Sequence, residues 1–290
     1  IDLDEITQAI TSQFANYFRK SVDSEKFKNS SVLLSRLESQ VYEKYAFVSR
    51  DPAMKNVSDA VSALRRRSMN VENEELTVLL EGECAASRMN LARTIHAGSR
   101  RGRETWVSIN CATLDGPQLE AEVFGYENTP GLIELAEGGT LFLDEACSTN
   151  HDFQKRMLRV LTEKVSSRVG GVESFAVNVR VIFGSHIIVT DKSHQAKYIK
   201  DFVQFMVASA ITIPSLRERQ KDLLPMALEF GERAFRQRGR GFPGFAPDAK
   251  EFVQDYAWPG NVRELYHVME RAALLHRGSG EVEGRELGCR

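Results

Sequence analysis

The sequence predicts an α/β fold, a parallel β-sheet covered by helices, with a helical C-terminal subdomain and a helical N-terminal arm. Three observations support this prediction. Apolar runs of strand length alternate with helical patterns between about residues 48 and 215. Only helical patterns follow Pro214. Before residue 47, apolar residues recur at helical spacing and no strand alternation is present.

The first predicted element is an arm or linker at residues 1–46. Two apolar stripes, separated by a polar break at 26–31, indicate helices. The stripes consist of Ile6, Ile10, Phe14 and Phe18, and of Val32, Leu33, Leu37 and Val41. Two interpretations remain open: a helix packed on the neighbouring domain, or a signalling helix that forms dimers.

The α/β subdomain is predicted at 47–215 and the helical subdomain at 216–290. Continuous apolar runs, typical of buried parallel strands, occur in the first of these regions, together with helical patterns. The strands are predicted at 76–80, 106–109, 140–143 and 177–183, and the clearest helix at 153–163. The helices of the second region are predicted at 223–236, 247–256 and 262–275.

The composition is that of an ordinary globular protein, with 42% hydrophobic and 27% charged residues. The net charge of -2 argues against a surface that wraps nucleic acid. Local basic clusters remain candidates for contact with an anionic ligand or DNA. No apolar run approaches the roughly 20 residues that span a bilayer, and we see no basic-then-apolar pattern that would lead us to expect secretion. We therefore expect a cytoplasmic protein without a membrane partner. The basic clusters are Arg65, Arg66 and Arg67, and Arg100, Arg101 and Arg103.

The four cysteines lie far apart, without a CxxC pair and without the spacing of a metal site. This usage predicts reduced thiols and no disulfide framework. The cysteines are Cys84, Cys111, Cys147 and Cys289.

A phosphate-binding loop is expected where the first strand runs through Gly82 into a helix. Such a loop needs glycines whose backbone N–H groups face the phosphates, a lysine, and a hydroxyl for Mg²⁺, in the pattern G-x-x-x-x-G-K-[ST]. Residues 82–89 read GECAASRM, so only the first glycine is present. By itself the segment is either a modified phosphate loop or an ordinary strand-to-helix turn.

Several longer segments identify a family when they are taken together. They are GECAASRMNLARTIH (82–96), WVSINCATL (106–114), EVFGYE (122–127), GLIELAEGGTLFLDEA (131–146), RMLRVLTEKVSSRVGG (156–171), IPSLRERQKDL (213–223) and YAWPGNVRELYHVMERA (256–272). In order and spacing they resemble the central AAA+ domain of the NtrC-like bacterial enhancer-binding proteins, the activators of sigma-54 RNA polymerase. The resemblance covers residues 47 to about 287 and implies an AAA+ P-loop NTPase-like sheet with a C-terminal helical lid.

The resemblance implies a set of nucleotide-binding residues, and several of them depart from the family pattern. Ala85 and Ser87 replace flexible glycines, Arg88 replaces the phosphate lysine, and Met89 replaces an acid or hydroxyl. Arg263 matches an arginine that contacts the nucleotide from the lid. The alternative is that it only braces the lid helix, with Asn261 as the N-cap. The implied set is Gly82, Glu83, Cys84, Ala85, Ala86, Ser87, Arg88, Met89, Asp144 and Arg263.

The acidic pair that serves hydrolysis in this family is intact. In relatives, the residue matching Asp144 holds Mg²⁺ and the residue matching Glu145 orients the attacking water. Asn110 matches the asparagine that restrains this glutamate. His186, however, replaces the asparagine of the family's A-T-N segment and is interpreted as structural. We therefore interpret Asp144, Glu145 and Asn110 as vestigial, with Asp144 as the one metal-ligand candidate.

Two further parts of the family machinery are altered. Ile199 and Phe205 occupy the positions of two arginine fingers, and such a finger contributes roughly 10³–10⁵ in rate. Only three residues, 128–130, separate Glu127 from Gly131, so the G-A-F-T-G-A loop that touches sigma-54 is missing.

These departures predict a degenerate AAA+ module of a bacterial transcription regulator that neither hydrolyses ATP nor remodels sigma-54 polymerase. We expect a dimer or ring whose allosteric ligand is ATP, ADP or a cyclic dinucleotide; Met89 puts the use of Mg²⁺ in doubt. Promoter DNA is expected to bind through a domain outside this chain, and RNA polymerase is a candidate partner. Two alternatives are a slow ATPase that uses Arg88, Asp144 and Glu145, and an antagonist that binds active relatives.

Overall fold

The computed structural model describes Ser49 and residues 51–68, 76–83, 87–127, 129–191, 198–278 and 280–288. The arm predicted at 1–46 lies outside the described residues. The rest of the chain divides into two compact units. The first contains residues within 61–81 and 89–211, and the second contains residues within 48–60, 82–88 and 212–290.

The strands confirm the predicted parallel sheet. In chain order they are β1 (Val78–Glu81), β2 (Trp106–Asn110), β3 (Thr140–Asp144), β4 (Val165–Ser167), β5 (Ser174–Ala176), β6 (Arg180–Ser185) and β7 (Ala210–Thr212). Among the described residues, five of them form one sheet in the order β2-β3-β6-β1-β7. The pairs β1–β6, β2–β3 and β3–β6 are parallel. The first unit therefore has the crossover topology of an α/β fold.

The last predicted strand, at 177–183, is wrong in its bounds. Residues 174–176 form β5, which pairs antiparallel with β4 in a separate hairpin, and β6 begins only at Arg180. The apolar run continues across this break because Val177 and Val179 are buried although they lie outside both strands. The three-residue strand β7 was not predicted, because it is too short to show a period.

Helices connect the strands and form the second unit. They are α1 (Lys55–Ser68), α2 (Arg88–Ala97), α3 (Gly116–Phe124), α4 (Leu132–Leu135), α5 (His151–Glu163), α6 (Lys200–Val207), α7 (Gln220–Gln237), α8 (Pro247–Asp255), α9 (Asn261–Leu275) and α10 (Gly284–Leu287). The N-terminus of α5 shows how the sequence sets these bounds: the Asn150 side chain accepts a 2.8 Å hydrogen bond from the Phe153 N–H. The helix ends at Lys164, which has left-handed backbone angles.

Each unit has its own hydrophobic core. In the first, β3 and β6 contribute Leu141, Leu143 and Phe183, which pack with Phe153 and Met157 of α5. The core of the second unit is formed by side chains of its helices and of the segments between them, among them Leu223, Phe235, Phe245, Trp258 and Leu265. Burying each such side chain contributes about 1.5–3 kcal/mol. Among the described residues, no helix combines the length and the apolar character needed to cross a bilayer.

Candidate functional site

The carboxyl ends of β3 and β6 lie side by side in the first unit. The two strands pair in parallel, with Leu143 opposite Phe183, so the residues that follow them meet at one edge of the sheet. At this edge the approach is close: a Cβ atom on Gly184 would lie 2.2 Å from Oδ1 of Asp144. Only glycine at position 184 leaves room for the carboxylate in this position.

Glu145 and His186 face each other across this edge. A hydrogen bond joins Nδ1 of His186 to Oε2 of Glu145. Glu145 is buried and has a left-handed backbone (φ 54°), and its N–H donates a 3.0 Å hydrogen bond to Oδ1 of Asp144. The carboxylate for which the resemblance implies a water-orienting role is therefore engaged by an imidazole.

Cys147 completes a cluster that the sequence analysis did not find. Its Sγ lies 3.5 Å from Oε2 of Glu145 and 3.5 Å from Nδ1 of His186. Burial raises the pKa of the Cys147 thiol above its ordinary value. The sequence contains no spacing signal because His186 is 39 residues away from Cys147. Only the pairing of β3 with β6 brings the two together.

Asn110 ends β2 in register with Asp144. Its Oδ1 accepts a 2.9 Å hydrogen bond from the Ala112 N–H and so caps the short turn at Cys111–Thr113. Cys111, within this turn, is buried, and desolvation strongly raises the pKa of its thiol. The predicted restraint of Glu145 by Asn110 stays a prediction, since the structure records a capping role for the asparagine oxygen.

The loop residues after β1 belong to the second unit. Gly82 lies so close to the chain at Ile213 that a Cβ atom would be 2.7 Å from that residue's carbonyl oxygen. Arg88 is 5% exposed, and its Nη1 donates hydrogen bonds to the carbonyl oxygens of Gly82 (2.8 Å) and Glu83 (3.4 Å). Ser87 has φ 77°, the left-handed region that favours glycine. Cys84, Ala85 and Ala86 lie outside the described residues.

Glu83 is held by two residues of the second unit. Both guanidinium Nη atoms of Arg217 pair with its carboxylate, and the Nη1–Oε2 distance is 2.8 Å. Nδ2 of Asn261 also donates to Oε2 at 3.1 Å. The hydrogen bonds from Arg217 and then from Asn261 lower the pKa of the Glu83 carboxyl. Glu83 is therefore anchored as an anion within this unit.

The WPGNVREL segment is built around Asn261, which is fully buried. The alternative that Asn261 caps the lid helix is wrong. Gly260 is the N-cap of α9, and Oδ1 of Asn261 accepts a 2.8 Å hydrogen bond from the Leu216 N–H. Its carboxamide thus joins the start of α9 to the turn at 216–218 and to Glu83. Arg263 lies on the exposed side of α9.

The two residues predicted at arginine-finger positions lie against the core of the first unit. Ile199 and Phe205 are partly buried and pack against the hydrophobic cluster beneath the sheet. The Ile199 N–H also donates a 2.9 Å hydrogen bond to Oε1 of Gln154 on α5. These side chains serve packing in this chain.

The backbones of Tyr126 and Thr129 meet in the segment that is predicted to lack the sigma-54 loop. Tyr126 and Thr129 exchange two backbone hydrogen bonds of 3.0 and 2.8 Å. Arg168 makes two hydrogen bonds to the Glu134 carboxylate, at 2.9 and 2.8 Å, and a third, of 3.1 Å, to the Glu127 carbonyl oxygen. The Glu134 hydrogen bonds raise the pKa of Arg168. These hydrogen bonds join the segment at Glu127 and the Glu134 side chain to the β4–β5 hairpin, which carries Arg168. We call the Arg168–Glu134 pair the staple.

One of the predicted basic clusters contains an arginine used inside the fold. Nη1 and Nη2 of Arg101 donate to the backbone and side-chain oxygens of Asn178, at 2.9 and 2.7 Å. Arg101 thus holds the segment before β6 in place. Its guanidinium has this structural role, whether or not the cluster also binds an anion.

The sheet order, the loop after β1, the acidic pair after β3 and the helical unit define an AAA+ NTPase fold with a lid. Residues 54–212 match the family described as the sigma-54 interaction domain, and residues 217–288 match the AAA+ ATPase lid domain. The chain belongs to the sigma-54 interaction domain family.

Similar proteins agree with this assignment. The chain is 32% identical to the transcriptional regulatory protein ZraR of Klebsiella oxytoca, covering 98% of this chain and 66% of the relative. It is 34% identical to the Nif-specific regulatory protein of Klebsiella pneumoniae, covering 79% and 44%. The crystal structure of NtrX from Brucella abortus in complex with ADP matches with a TM-score of 0.76 and 28% identity, covering 86% of this chain and 56% of NtrX. The chain thus spans about half to two thirds of the length of these relatives.

Proposed function

We propose that this chain is the AAA+ module of a sigma-54-type transcription regulator that binds an adenine nucleotide as an allosteric ligand and does not hydrolyse it. The hydrogen bond between His186 and Glu145 carries the proposal. General-base action needs a carboxylate oxygen within hydrogen-bond reach of the attacking water. In this chain Oε2 of Glu145 already has the imidazole as its partner, so an attacking water has to compete with His186 for that oxygen.

The loop residues support binding more than they support catalysis. The N-terminus of α2 presents backbone N–H groups, which favour phosphate, and Arg88 adds a positive charge. Met89 has no oxygen atom with which to help hold Mg²⁺. Residues 87–89 therefore fit a nucleotide phosphate. They do not fit a Mg²⁺ ion that would take a ligand from the side chain at position 89. A relative crystallised with ADP, NtrX, makes an adenine nucleotide the first ligand to test.

The other altered parts point the same way. Ile199 and Phe205 have no charge to offer a neighbouring subunit's phosphates, and each such arginine is worth roughly 10³–10⁵ in rate. The stapled turn at 126–129 has no insertion with which to engage sigma-54. The module accordingly acts by self-association, as a dimer or ring, while promoter DNA is bound elsewhere in the regulator.

The first test is calorimetric titration with ATP, ADP and cyclic di-GMP, with and without Mg²⁺, beside a turnover assay. We expect micromolar binding of an adenine nucleotide and background turnover in both the wild type and Glu145→Gln. Arg88→Ala is expected to lose affinity at least tenfold, and Arg88→Lys to retain most of it. Turnover that Glu145→Gln abolishes would overturn the proposal in favour of a slow ATPase. No binding of any nucleotide would overturn its ligand half.

The second test concerns assembly. Light scattering of the chain with and without the bound nucleotide is expected to show a change in the distribution of oligomers, because a ligand shifts an equilibrium between states that it binds differently. A strictly monomeric chain that enters the rings of an active family member would instead support the antagonist alternative.

A further inference from the structure

The geometry points to a transition-metal site of the Zn²⁺ class, formed by Glu145, Cys147 and His186. One donor atom from each residue, a carboxylate oxygen, Sγ and a ring nitrogen, lies within 4.8 Å of the other two. A carboxylate, a thiolate and an imidazole are three of the ligand types that Zn²⁺ binds. The site lies entirely in the first unit, at the carboxyl edge of β3 and β6.

The distances between donors fit one tetrahedral ion. Zn–S bonds of about 2.3 Å and Zn–N or Zn–O bonds of about 2.0–2.2 Å place sulfur roughly 3.5 Å from each nitrogen or oxygen ligand. The Sγ of Cys147 is 3.5 Å from Oε2 of Glu145 and 3.5 Å from Nδ1 of His186. The oxygen and the nitrogen are hydrogen-bonded and closer together than in a metal complex. Binding therefore requires that this pair separate and that the Cys147 thiol release its proton to become the thiolate ligand.

Backbone hydrogen bonds fix the segments that carry the three donor residues. Glu145 and Cys147 belong to one short turn, which the Ser148 N–H closes with a 2.9 Å hydrogen bond to the Glu145 carbonyl oxygen. His186 follows β6 directly, and the Ile187 N–H donates a 3.1 Å hydrogen bond to the Ser185 hydroxyl beside it. The His186 side chain is 43% exposed, which provides an entry path and lets a water molecule serve as fourth ligand.

Two other interpretations fit less well. A Cys-His-Glu nucleophilic triad needs the thiol and the carboxylate on different nitrogens of the imidazole. Here both contacts are made to Nδ1 of His186, so the ring cannot relay a proton between them. A Mg²⁺ site would need oxygen ligands, whereas two of these donors are sulfur and nitrogen.

Metal binding would also act on Glu145. An ion coordinated by Oε2 would occupy an oxygen that a catalytic water could otherwise use, so metal binding would compete with hydrolytic chemistry at this carboxylate. None of the three donors comes from the loop at 82–88, so metal binding can be measured without a nucleotide.

The test is a Co²⁺ titration of the whole chain, purified with a chelator and kept free of nucleotide. Co²⁺ replaces Zn²⁺ in such sites and reports its ligands by absorption. We expect one equivalent to produce the visible bands of four-coordinate cobalt and a near-ultraviolet thiolate-to-cobalt band, with Zn²⁺ abolishing both. Cys147→Ser is expected to lose the thiolate band. His186→Asn, which introduces the family residue, is expected to weaken binding at least about tenfold.

Matched controls separate this site from other thiols and imidazoles. Cys111→Ala removes a buried cysteine outside the cluster, and His267→Asn removes an exposed histidine of α9; both are expected to keep the two absorption features. Circular dichroism establishes that each variant is folded. If Cys147→Ser does not fold, zinc X-ray absorption of the wild type is expected to show one sulfur neighbour.

Three results would overturn the proposal: folded wild type without cobalt bands, a thiolate band that persists in Cys147→Ser, or a zinc spectrum without sulfur. Failure of nucleotide binding leaves these readouts unchanged, since no nucleotide is present in the titration. The two proposals therefore fail separately.

Discussion

Arg88 donates a 2.8 Å hydrogen bond to the carbonyl oxygen of Gly82, six residues earlier in the chain. The guanidinium of Arg88, predicted to stand at the phosphate-lysine position, is thus tied to the backbone of its own loop. A guanidinium has several donors in one plane, and a second bond to the Glu83 carbonyl oxygen uses the same nitrogen. Arg88 therefore gives the loop an internal brace, and a phosphate would have to compete with these hydrogen bonds or bind beside them.

This brace predicts the effect of removing the side chain. Arg88→Ala is expected to lower the free energy of unfolding by about 1–3 kcal/mol, because a buried carbonyl oxygen loses its donor. Arg88→Lys is expected to recover part of the loss, since an ammonium can still donate to one carbonyl. Urea unfolding measures both. An alanine variant as stable as the wild type would show that the hydrogen bonds contribute nothing.

Ser87 offers a gain in stability. At its φ of 77°, backbone strain lowers the free energy of unfolding by about 1–3 kcal/mol for a residue with a Cβ. Glycine adopts this angle without strain. Ser87→Gly is therefore expected to raise the free energy of unfolding by about 0.5–1 kcal/mol after the entropy cost of glycine. Thermal unfolding checks this. Ser174→Gly, at an exposed strand position outside the left-handed region, serves as the control and is expected to destabilise.

The anchoring of Glu83 predicts a pH dependence. Its pKa is lowered from the ordinary value of 4.5 in the folded state, so its contribution to stability is present above pH 4.5 and is lost as the pH falls through the folded pKa. Glu83→Gln is expected to be less stable than the wild type at pH 7, and the difference is expected to shrink towards pH 3. Urea unfolding at both pH values measures it.

The control for this experiment is Glu251→Gln, which removes an exposed carboxylate of α8. It is expected to leave the pH profile close to that of the wild type. A Glu83→Gln difference that stays constant from pH 3 to pH 7 would contradict the ionic interpretation and leave only a packing role for the side chain.

Gly184 predicts a steric effect at the β3–β6 edge. A methyl group there would lie 2.2 Å from Oδ1 of Asp144, so Gly184→Ala has to displace the carboxylate or the strand. We expect a loss of about 1–3 kcal/mol in the free energy of unfolding. The double variant Gly184→Ala with Asp144→Ala removes the clash, and it is expected to lose less than the sum of the two single changes. Additive losses would show that the two sites do not interact.

The staple between Arg168 and Glu134 predicts a measurable coupling. The two side chains are 30% and 21% exposed and make two hydrogen bonds, so a double-mutant cycle with Arg168→Ala and Glu134→Ala is expected to give a coupling of about 1 kcal/mol. The exposed pair of Lys155 and Asp152, 68% and 75% exposed, provides the comparison and is expected to give less than about 0.5 kcal/mol. Equal couplings would contradict the assigned staple.

Much of the fold was predictable because buried strands and amphipathic helices have local signals. The run at 140–143 becomes β3, extended by one residue, and the helical pattern at 153–163 becomes α5 once the Asn150 cap is included. The short β7 and the break between β5 and β6 were not predictable, because strand pairing decided both. Family motifs located Asp144 and Glu145, but no local pattern indicated which side chains would contact them.

The sequence by itself determined the family, the order of the elements and the positions of the candidate site residues, because each of these depends on contiguous residues. Tertiary structure decided the chemistry at those positions. His186 reaches Glu145, and Cys147 lies 3.5 Å from both, only because β3 and β6 are adjacent parallel strands. Residues 41 positions apart are joined there by sheet register, and a single sequence does not encode register in any local pattern.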